Sequence, residues 1–376
     1  MNILLVNWQD LEHPEAGGAE IHLFEIFGRL AERGHRVRLV CAGWRGAVPR
    51  ASLRGIAVER SGTRNTFALV GRRAVRRAIA RERPDIVVED INKLPLYLAW
   101  LTNLPLCVIV PHLFGTTAFR EAAWPVATAV WLSERPIPLV YRRAGFHAIS
   151  ESTRDDLVRR GVARERIRVI HPGVDTAHYA PDPAVPRATP PAFLYVGRLK
   201  RYKGVETAIR ALALARAQAP GLVLHVAGDG DDRARLEGLA EGLGVSAGVK
   251  FHGRVGEADK IRLFQSCWAN VFPSPKEGWG ITIMEAAACG TPSLASDSPG
   301  LRDSVRDGVT GVLVPHGDDA ALARRMLEFA ADPALVTRLG LAARRHAEQQ
   351  SWDDAANQTA GHLEALIDSG PSAKTA

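Results

Sequence analysis

At 376 residues the chain exceeds one ordinary α/β domain, and two domains are expected. A hydrophobic share of 46% supplies two cores, and 48 Lys+Arg against 41 Asp+Glu leaves +7, a balance that suits anionic small molecules or an anionic membrane surface and does not by itself argue for nucleic acid. Cys41, Cys107, Cys267 and Cys289 include no CxxC pair, which reads as a reduced, cytoplasmic protein without a structural zinc site.

The chain opens with a short apolar run, Ile3 to Val6, read as a buried strand rather than a signal peptide or anchor. A polar loop, HPEAGGAE, leads into an amphipathic helix through Leu23, Ile26, Phe27 and Leu30, and Val37 to Val40 is the next strand. Gly17-Gly18 at this first turn is not GxGxxG, so a dinucleotide fingerprint is unsupported, and ligand-facing backbone and simple turn chemistry both stay open.

Residues Gly71 to Arg83 form a basic amphipathic helix with six arginines. Contact with anionic lipid or a phosphorylated acceptor is one reading, but the apolar face is mostly alanine, and a solvated helix on the sheet is preferred. Asp85 to Val88 and Leu106 to Val110 are strands ending in Glu89-Asp90-Ile91-Asn92-Lys93 and in Pro111-His112. Polar residues there stand where open α/β sheets bind ligands. The apolar stretch Leu94 to Pro111, interrupted by Pro95, Asn103 and Pro105, is read as a helix then a strand rather than a membrane span. Trp124 to Tyr141 packs as core or lines an acceptor groove near a membrane, and the sequence does not decide between these.

After the strand His147 to Ser150, a proline-dense stretch places a flexible linker at 173–191. It separates an N-terminal domain, 1–172, from a second α/β pattern at 192–351. In the second pattern the strand Phe193 to Val196 runs into GRLKRYKG and a helix from Val205, the strand Val223 to Ala227 ends at GDGDD, and Val249 to His252 is a further strand before the helix Gly256 to Cys267. Ala269 to Phe272 then leads to KEGWGITIMEAAACGTP. Gly290 and Pro292 stop a helix that begins near Gly280, so its first N–H groups face the glycine loop and favour an anion. Glu277 and Glu285 lie eight positions apart. Arg198 and Lys203, in a loop bounded by Gly197 and Gly204, can grip a diphosphate, the guanidinium as a planar fork and the ammonium as a point charge.

GRLxxxKG with the later E-x7-E, together with Gly17-Gly18, Ala148-Ile149-Ser150 and the HPGVD turn at His171 to Asp175, resembles the retaining glycosyltransferases of family 4 across most of the chain. The resemblance implies the GT-B fold: two Rossmann-like, doubly wound domains facing across a cleft, with a last helix, 352–367, crossing back to the first domain; the tail at 368–376 is expected to be disordered as a chain terminus. It implies transfer of a sugar from a nucleoside-diphosphate sugar, UDP-sugar ahead of GDP-mannose, to a hydroxyl acceptor that can be lipid-linked, with no metal or cofactor. In that family pattern Arg198 and Lys203 hold the diphosphate and Glu285 the ribose hydroxyls. Glu277, with the backbone of Gly278, Trp279, Gly280 and Ile281, faces the transferred sugar, and so does His112. Gly17 and Gly18 admit the phosphates, and the backbone near Arg254 and Val255 meets the base. Asp90, Asn92 and Lys93 are candidates for the acceptor side.

Asp229-Gly230-Asp231 has the spacing of a metal-binding Asp-x-Asp, but it follows a strand in the second half, and turn and cap roles are preferred. A non-catalytic nucleotide-sugar-binding subunit and a sugar-nucleotide epimerase on the same fold are the competing readings.

Overall fold

The computed structural model describes residues 1–117, 119 and 123–370. The chain divides into two compact units, residues 1–172 with the C-terminal helix from Trp352, and residues 173–351.

The first unit is built on β1 (Asn2–Val6), β2 (Arg36–Gly43), β3 (Arg50–Leu53), β4 (Ile56–Thr63), β5 (Ile86–Asp90), β6 (Leu106–Val110), β7 (Gly145–Ala148) and β8 (Ile167–Val169). Their order is β3-β4-β2-β1-β5-β6-β7-β8, and only the β3–β4 pair is antiparallel. Runs such as ILLV, IVVED and LCVIV are apolar without alternation because helices cover both faces of a parallel sheet. Helices α1 (Gly18–Glu32), α2 (Phe67–Glu82), α3 (Trp124–Glu134), α4 (Ile137–Val140) and α5 (Glu151–Arg159) accompany it. The C-terminal helix (Trp352–Asp368) packs on α1, where Arg33 bonds Asp353 and Asn357 at 2.7 Å each.

The second unit carries β9 (Ala192–Val196), β10 (Val223–Ala227), β11 (Val249–Gly253), β12 (Ala269–Phe272), β13 (Ser293–Ser296) and β14 (Gly311–Val314), all parallel, in the order β11-β10-β9-β12-β13-β14. Its helices are α6 (Val205–Arg216), α7 (Arg233–Gly242), α8 (Glu257–Ser266), α9 (Ile281–Ala288), α10 (Leu301–Ser304), α11 (Asp319–Ala331) and α12 (Pro333–Ala347). One core joins Phe193, Leu224 and Val271 of the sheet to Ile209 and Leu212 of α6 and to Met326 and Phe329 of α11.

Three expectations need correction. The stretch before β6 holds only a 3-10 turn, Leu98–Trp100, where a helix was expected, because Pro95 and Pro105 leave too few residues between them for a stable α-helix. Residues 173–191 lack helix and strand as a linker should, yet they are strapped to the second unit rather than flexible. Arg187 donates to Thr291 Oγ1 at 2.8 Å and to the Gly290 carbonyl at 2.7 Å, and the Ala188 amide donates to the Ser266 carbonyl at 2.8 Å. In the expected tail, Asp368 still closes the C-terminal helix, and 371–376 lie outside the described residues.

Strand order reverses once in each sheet. β1 lies between β2 and β5, and β9 lies between β10 and β12. Outside the carboxyl ends of such a strand pair the following loops diverge to opposite faces and leave a crevice, the preferred ligand position in open α/β sheets.

Candidate active site

In the second unit the reversal point is formed by the loops after β9 and β12, which are GRLKRYKG and PSPKEGWG. After β9 a 3-10 turn, Arg201–Lys203, ends at Gly204 with φ +68°, where a Cβ would stand 2.7 Å from the Pro273 carbonyl oxygen. Glycine lets the two loops touch. Lys203 Nζ then donates to Glu277 Oε1 at 2.6 Å and lies 5.1 Å from the Tyr202 ring centroid and 5.8 Å from that of Phe272. Burial alone would lower the pKa of this ammonium, but Glu277 prevails and raises it, so the cation is held in its charged form. Arg198, exposed to solvent, acts on Lys203 as a like charge, and its carbonyl accepts from the Tyr195 hydroxyl at 3.0 Å.

The Glu277 loop has a brace that the sequence did not announce. The Glu277 amide donates to the Pro299 carbonyl at 3.1 Å, and Ser298 Oγ donates to the Ser274 carbonyl at 2.8 Å. Gly300, at φ +82°, would place a Cβ 2.1 Å from the Glu277 carbonyl oxygen, so only glycine permits that approach. The signal available was Ser298-Pro299-Gly300, legible as a turn but not as a partner of residues 274–277. Gly278 and Trp279 are buried behind this brace, and Gly280 caps α9, whose first residue is Ile281.

Glu285, one turn into α9, is buried, and burial raises its pKa against the pull of Lys260. Lys260 Nζ, from α8, is 3.3 Å from both carboxylate oxygens. The Tyr179 hydroxyl donates to Glu257 Oε2 at 2.6 Å and also bears on Glu285, while Lys260 Nζ stands 5.0 Å over the Tyr179 ring. Lys260, Tyr179 and Glu257 were missed in the sequence, since nothing in the spacing of α8 or of the 173–191 segment points at α9. Arg254, exposed, and Val255, half-buried, occupy the turn between β11 and α8 and so enter the same neighbourhood through the helix that carries Lys260.

The remaining sequence-derived residues belong to the first unit; Gly17, Gly18, Asp90, Asn92 and Lys93 lie at its own reversal point, and His112 follows the next strand, β6. Gly17 caps α1, and its amide donates to Glu20 Oε2 at 2.7 Å, while Asn92 Nδ2 donates to Glu20 Oε1 at 2.8 Å. Gly18 is the first residue of α1. Asp90, at the end of β5, is buried, and among the described residues neither carboxylate oxygen has a hydrogen-bond partner. Burial and then the neighbouring Glu20 raise its pKa well above the usual range, against the pull of Lys93. Lys93 also bears on His13, whose pKa is lowered chiefly by burial. His112 follows β6, half-buried, with its ring 5.1 Å from that of Phe114. The loop between β1 and α1 is fixed by Asp10, which accepts from Arg60 Nε at 2.6 Å, while Arg60 Nη2 donates to Glu12 at 2.6 Å.

Asp231 pairs with Lys200 at 2.7 Å, and Asp229 Oδ1 accepts from the Gly230 amide at 2.9 Å. Asp232 accepts from Arg235 through both oxygens at 2.6 Å each. The Asp-x-Asp spacing is thus taken up by a surface ion pair and a turn.

The family model described as Glycosyl transferases group 1 matches residues 181–346, and that described as Glycosyltransferase Family 4 matches residues 16–178. The D-inositol 3-phosphate glycosyltransferase of Streptomyces coelicolor is 30% identical over 98% of this chain and 92% of its own length. That of Streptomyces avermitilis is 39% identical over 55% of this chain, and there the match spans about half, 48%, of the relative. A glycogen synthase of Mycobacterium tuberculosis is 29% identical over 96% of this chain and 94% of its own length. Among solved structures, sucrose-phosphate synthase from Thermosynechococcus elongatus aligns with a TM-score of 0.84 at 24% identity, covering 98% of this chain and 99% of that one. Anabaena HepE in complex with UDP-glucose aligns at 0.78 and 20% identity, over 97% of this chain and 100% of that one. The architecture is GT-B, and with two family models in tandem and a full-length relative at 30% identity, the chain belongs to the group 1, family 4 glycosyltransferases.

Proposed function

We propose that the protein transfers a sugar from a nucleoside-diphosphate sugar, a UDP-sugar in the first instance and GDP-mannose in the second, to a hydroxyl acceptor with retention of anomeric configuration and without a metal. The observation that carries this reading is the Lys203–Glu277 pair at 2.6 Å, held at the β9–β12 reversal point with Glu285 one turn deeper in α9. Breaking the anomeric C–O bond leaves negative charge on the departing phosphate and positive charge on the sugar ring. Lys203, fixed before the reaction by Glu277 and so needing no reorganisation during it, is assigned to the first charge together with Arg198 and the N-terminus of α9. Glu277 is assigned to hydroxyls of the transferred sugar, and Glu285 to the ribose diol, whose two hydroxyls match the two acceptor oxygens of a buried carboxylate. His112 is assigned to the transferred sugar, Gly17 and Gly18 to the phosphates, and Asp90, Asn92 and Lys93 to the acceptor. Anabaena HepE, solved with UDP-glucose, supports the choice of uridine donors. No side chain here is assigned as a covalent nucleophile.

The purified protein, incubated with UDP-, GDP-, ADP- and TDP-sugars, is expected to gain thermal stability with one of them and to transfer its sugar to a hydroxyl acceptor in excess EDTA. Product NMR should show the donor's anomeric configuration. A strict manganese requirement or an inverted product would overturn the mechanism. Binding without hydrolysis or transfer would make the protein a non-catalytic subunit, and exchange at the sugar carbon without a transferred product would make it an epimerase.

A further inference from the structure

Helix α3, WPVATAVWLSE, buries only Ala127 and Glu134. A helix apolar all round belongs in a core or in lipid, because water gives its side chains no compensating interaction. Yet Trp124 is 73% exposed, and Leu139 in the following α4 is 78% exposed. The outward face is built rather than frayed. Glu134 turns inward, where its carboxylate accepts from the Phe114 amide at 2.6 Å and the Gly115 amide at 2.8 Å and pairs with Arg160 Nη1 at 3.2 Å. This clamp fixes which side of α3 meets solvent.

The face continues beyond the helix. The Tyr97 hydroxyl donates to the Ser133 carbonyl of α3, and the Tyr97 ring lies 5.0 Å from that of Trp100, itself 60% exposed. Arg72 of α2 stands 5.9 Å from the Trp100 ring centroid, Arg135 stands 4.2 Å from that of Trp131, and Arg142 and Arg143 are exposed just past α4. From Phe67 to Arg81 and from Arg135 to Ser150 the sequence holds no carboxylate.

We propose that this face docks on an anionic phospholipid bilayer, with Trp124, Leu132 and Leu139 seated at the boundary between headgroups and acyl chains and the arginines against lipid phosphates. Indole rings favour that depth because one edge is apolar and the N–H stays hydrated, and each arginine near an anionic surface strengthens adsorption by about fivefold. A second copy of the chain is the poorer occupant, since a two-fold contact would bring these arginines toward their own counterparts. Among the described residues no helix is long and apolar enough to cross a membrane, so the attachment is to one leaflet. The inference stands on this surface alone and is independent of the sugar-transfer reading.

Flotation of the intact protein with phosphatidylcholine vesicles, with and without phosphatidylglycerol, tests it. Binding is expected only with phosphatidylglycerol, and it should weaken as salt is raised. Replacing Trp124, Leu132 and Leu139 together by serine should abolish it. Arg142→Gln with Arg143→Gln should weaken it about 25-fold. The melting temperature should stay unchanged, because all five side chains are exposed. Brominated acyl chains should quench the tryptophan fluorescence of the bound protein, and Trp124→Phe should remove part of that quenching. Equal binding to neutral vesicles, or none to either, would overturn the proposal. So would a concentration-dependent dimer in sedimentation that the triple serine variant abolishes, which would assign the face to a second copy.

Discussion

The two reversal points occupy equivalent places in two sheets of the same kind, β1 with β5 and β9 with β12, but they treat carboxylates in opposite ways. In the second unit the half-buried Glu277 and the buried Glu285 each have an ammonium within hydrogen-bonding reach, Lys203 at 2.6 Å and Lys260 at 3.3 Å. In the first, Asp90 is buried beside Glu20 with no hydrogen-bond partner among the described residues. Pairing fixes charges in place, which suits a site that must stabilise a departing phosphate. An unpaired buried carboxyl instead disfavours the folded state and is satisfied only when something else binds it, which suits a site that waits for a hydroxyl or a cation.

The largest expected effect breaks the paired side. Lys203→Ala should cut turnover by roughly 100- to 1000-fold, as the loss of a preorganised charge does elsewhere, while the melting temperature stays near that of the wild type. Near-normal turnover would remove Lys203 from the diphosphate role and dissolve the contrast. Acid should next weaken the first unit more than the second, in which one histidine among the described residues, His225, has a pKa lowered to about 4 by burial. His22 and His362 are buried with pKa values lowered to about 4, and His147, whose ring lies 5.4 Å from that of His22, is lowered well below its usual value by burial. These neutral imidazoles lie in α1, β7 and the C-terminal helix, all of the first unit. The unfolded chain takes up protons near pH 6.5 and the folded chain does not, so stability is full above 6.5 and is lost as pH falls from there toward 4. His22 and His362 each contribute on the order of 3 kcal/mol to that loss. Hydrogen exchange should show 352–368 opening first on acidification, and His22→Phe should weaken the pH dependence. Uniform opening of both units would mean that the histidines do not act as the hinge of acid sensitivity.

Asp90→Asn sharpens the comparison from the other side. The folded-state pKa of Asp90 is raised above its unfolded value, so burying it costs nothing below the unfolded pKa and progressively more as pH rises through the folded one. The amide should therefore stabilise the protein by about 2 kcal/mol at neutral pH and by nothing at pH 3, seen as a melting-temperature difference that vanishes in acid. A destabilised variant at neutral pH would show that the carboxylate is satisfied after all. The smallest effect concerns Lys260→Met. Without the ammonium the Glu285 pKa should climb further, so UDP affinity should fall about tenfold at neutral pH and recover as pH rises, with Lys260→Arg close to wild type. Titration calorimetry across pH would reveal it, and a pH-independent loss would mean that Lys260 merely packs.

Local sequence signals and tertiary contacts divide the account of this molecule. Apolar runs without alternation, such as LCVIV, and stops such as Gly290 with Pro292 are local, because a strand buried on both faces and a helix end are each decided within a few residues. The GRLxxxKG loop and the E-x7-E spacing are local too, which is why Arg198, Lys203, Glu277 and Glu285 were legible. Strands β3, β4, β13 and β14 were not, since they lie at or next to the sheet edges and are short or lack a continuous apolar run. The sequence by itself determined the two-part α/β architecture and the residue types at each strand end. Only the tertiary structure decided which of those residues meet: Lys260 and Tyr179 reach Glu285 from segments 25 and 106 positions away, Gly300 braces Glu277, and Asp90 is left, among the described residues, without a hydrogen-bond partner. The physical reason is that pairing and burial are properties of neighbours in space, and a parallel sheet sets those neighbours by strand order, which no local pattern encodes.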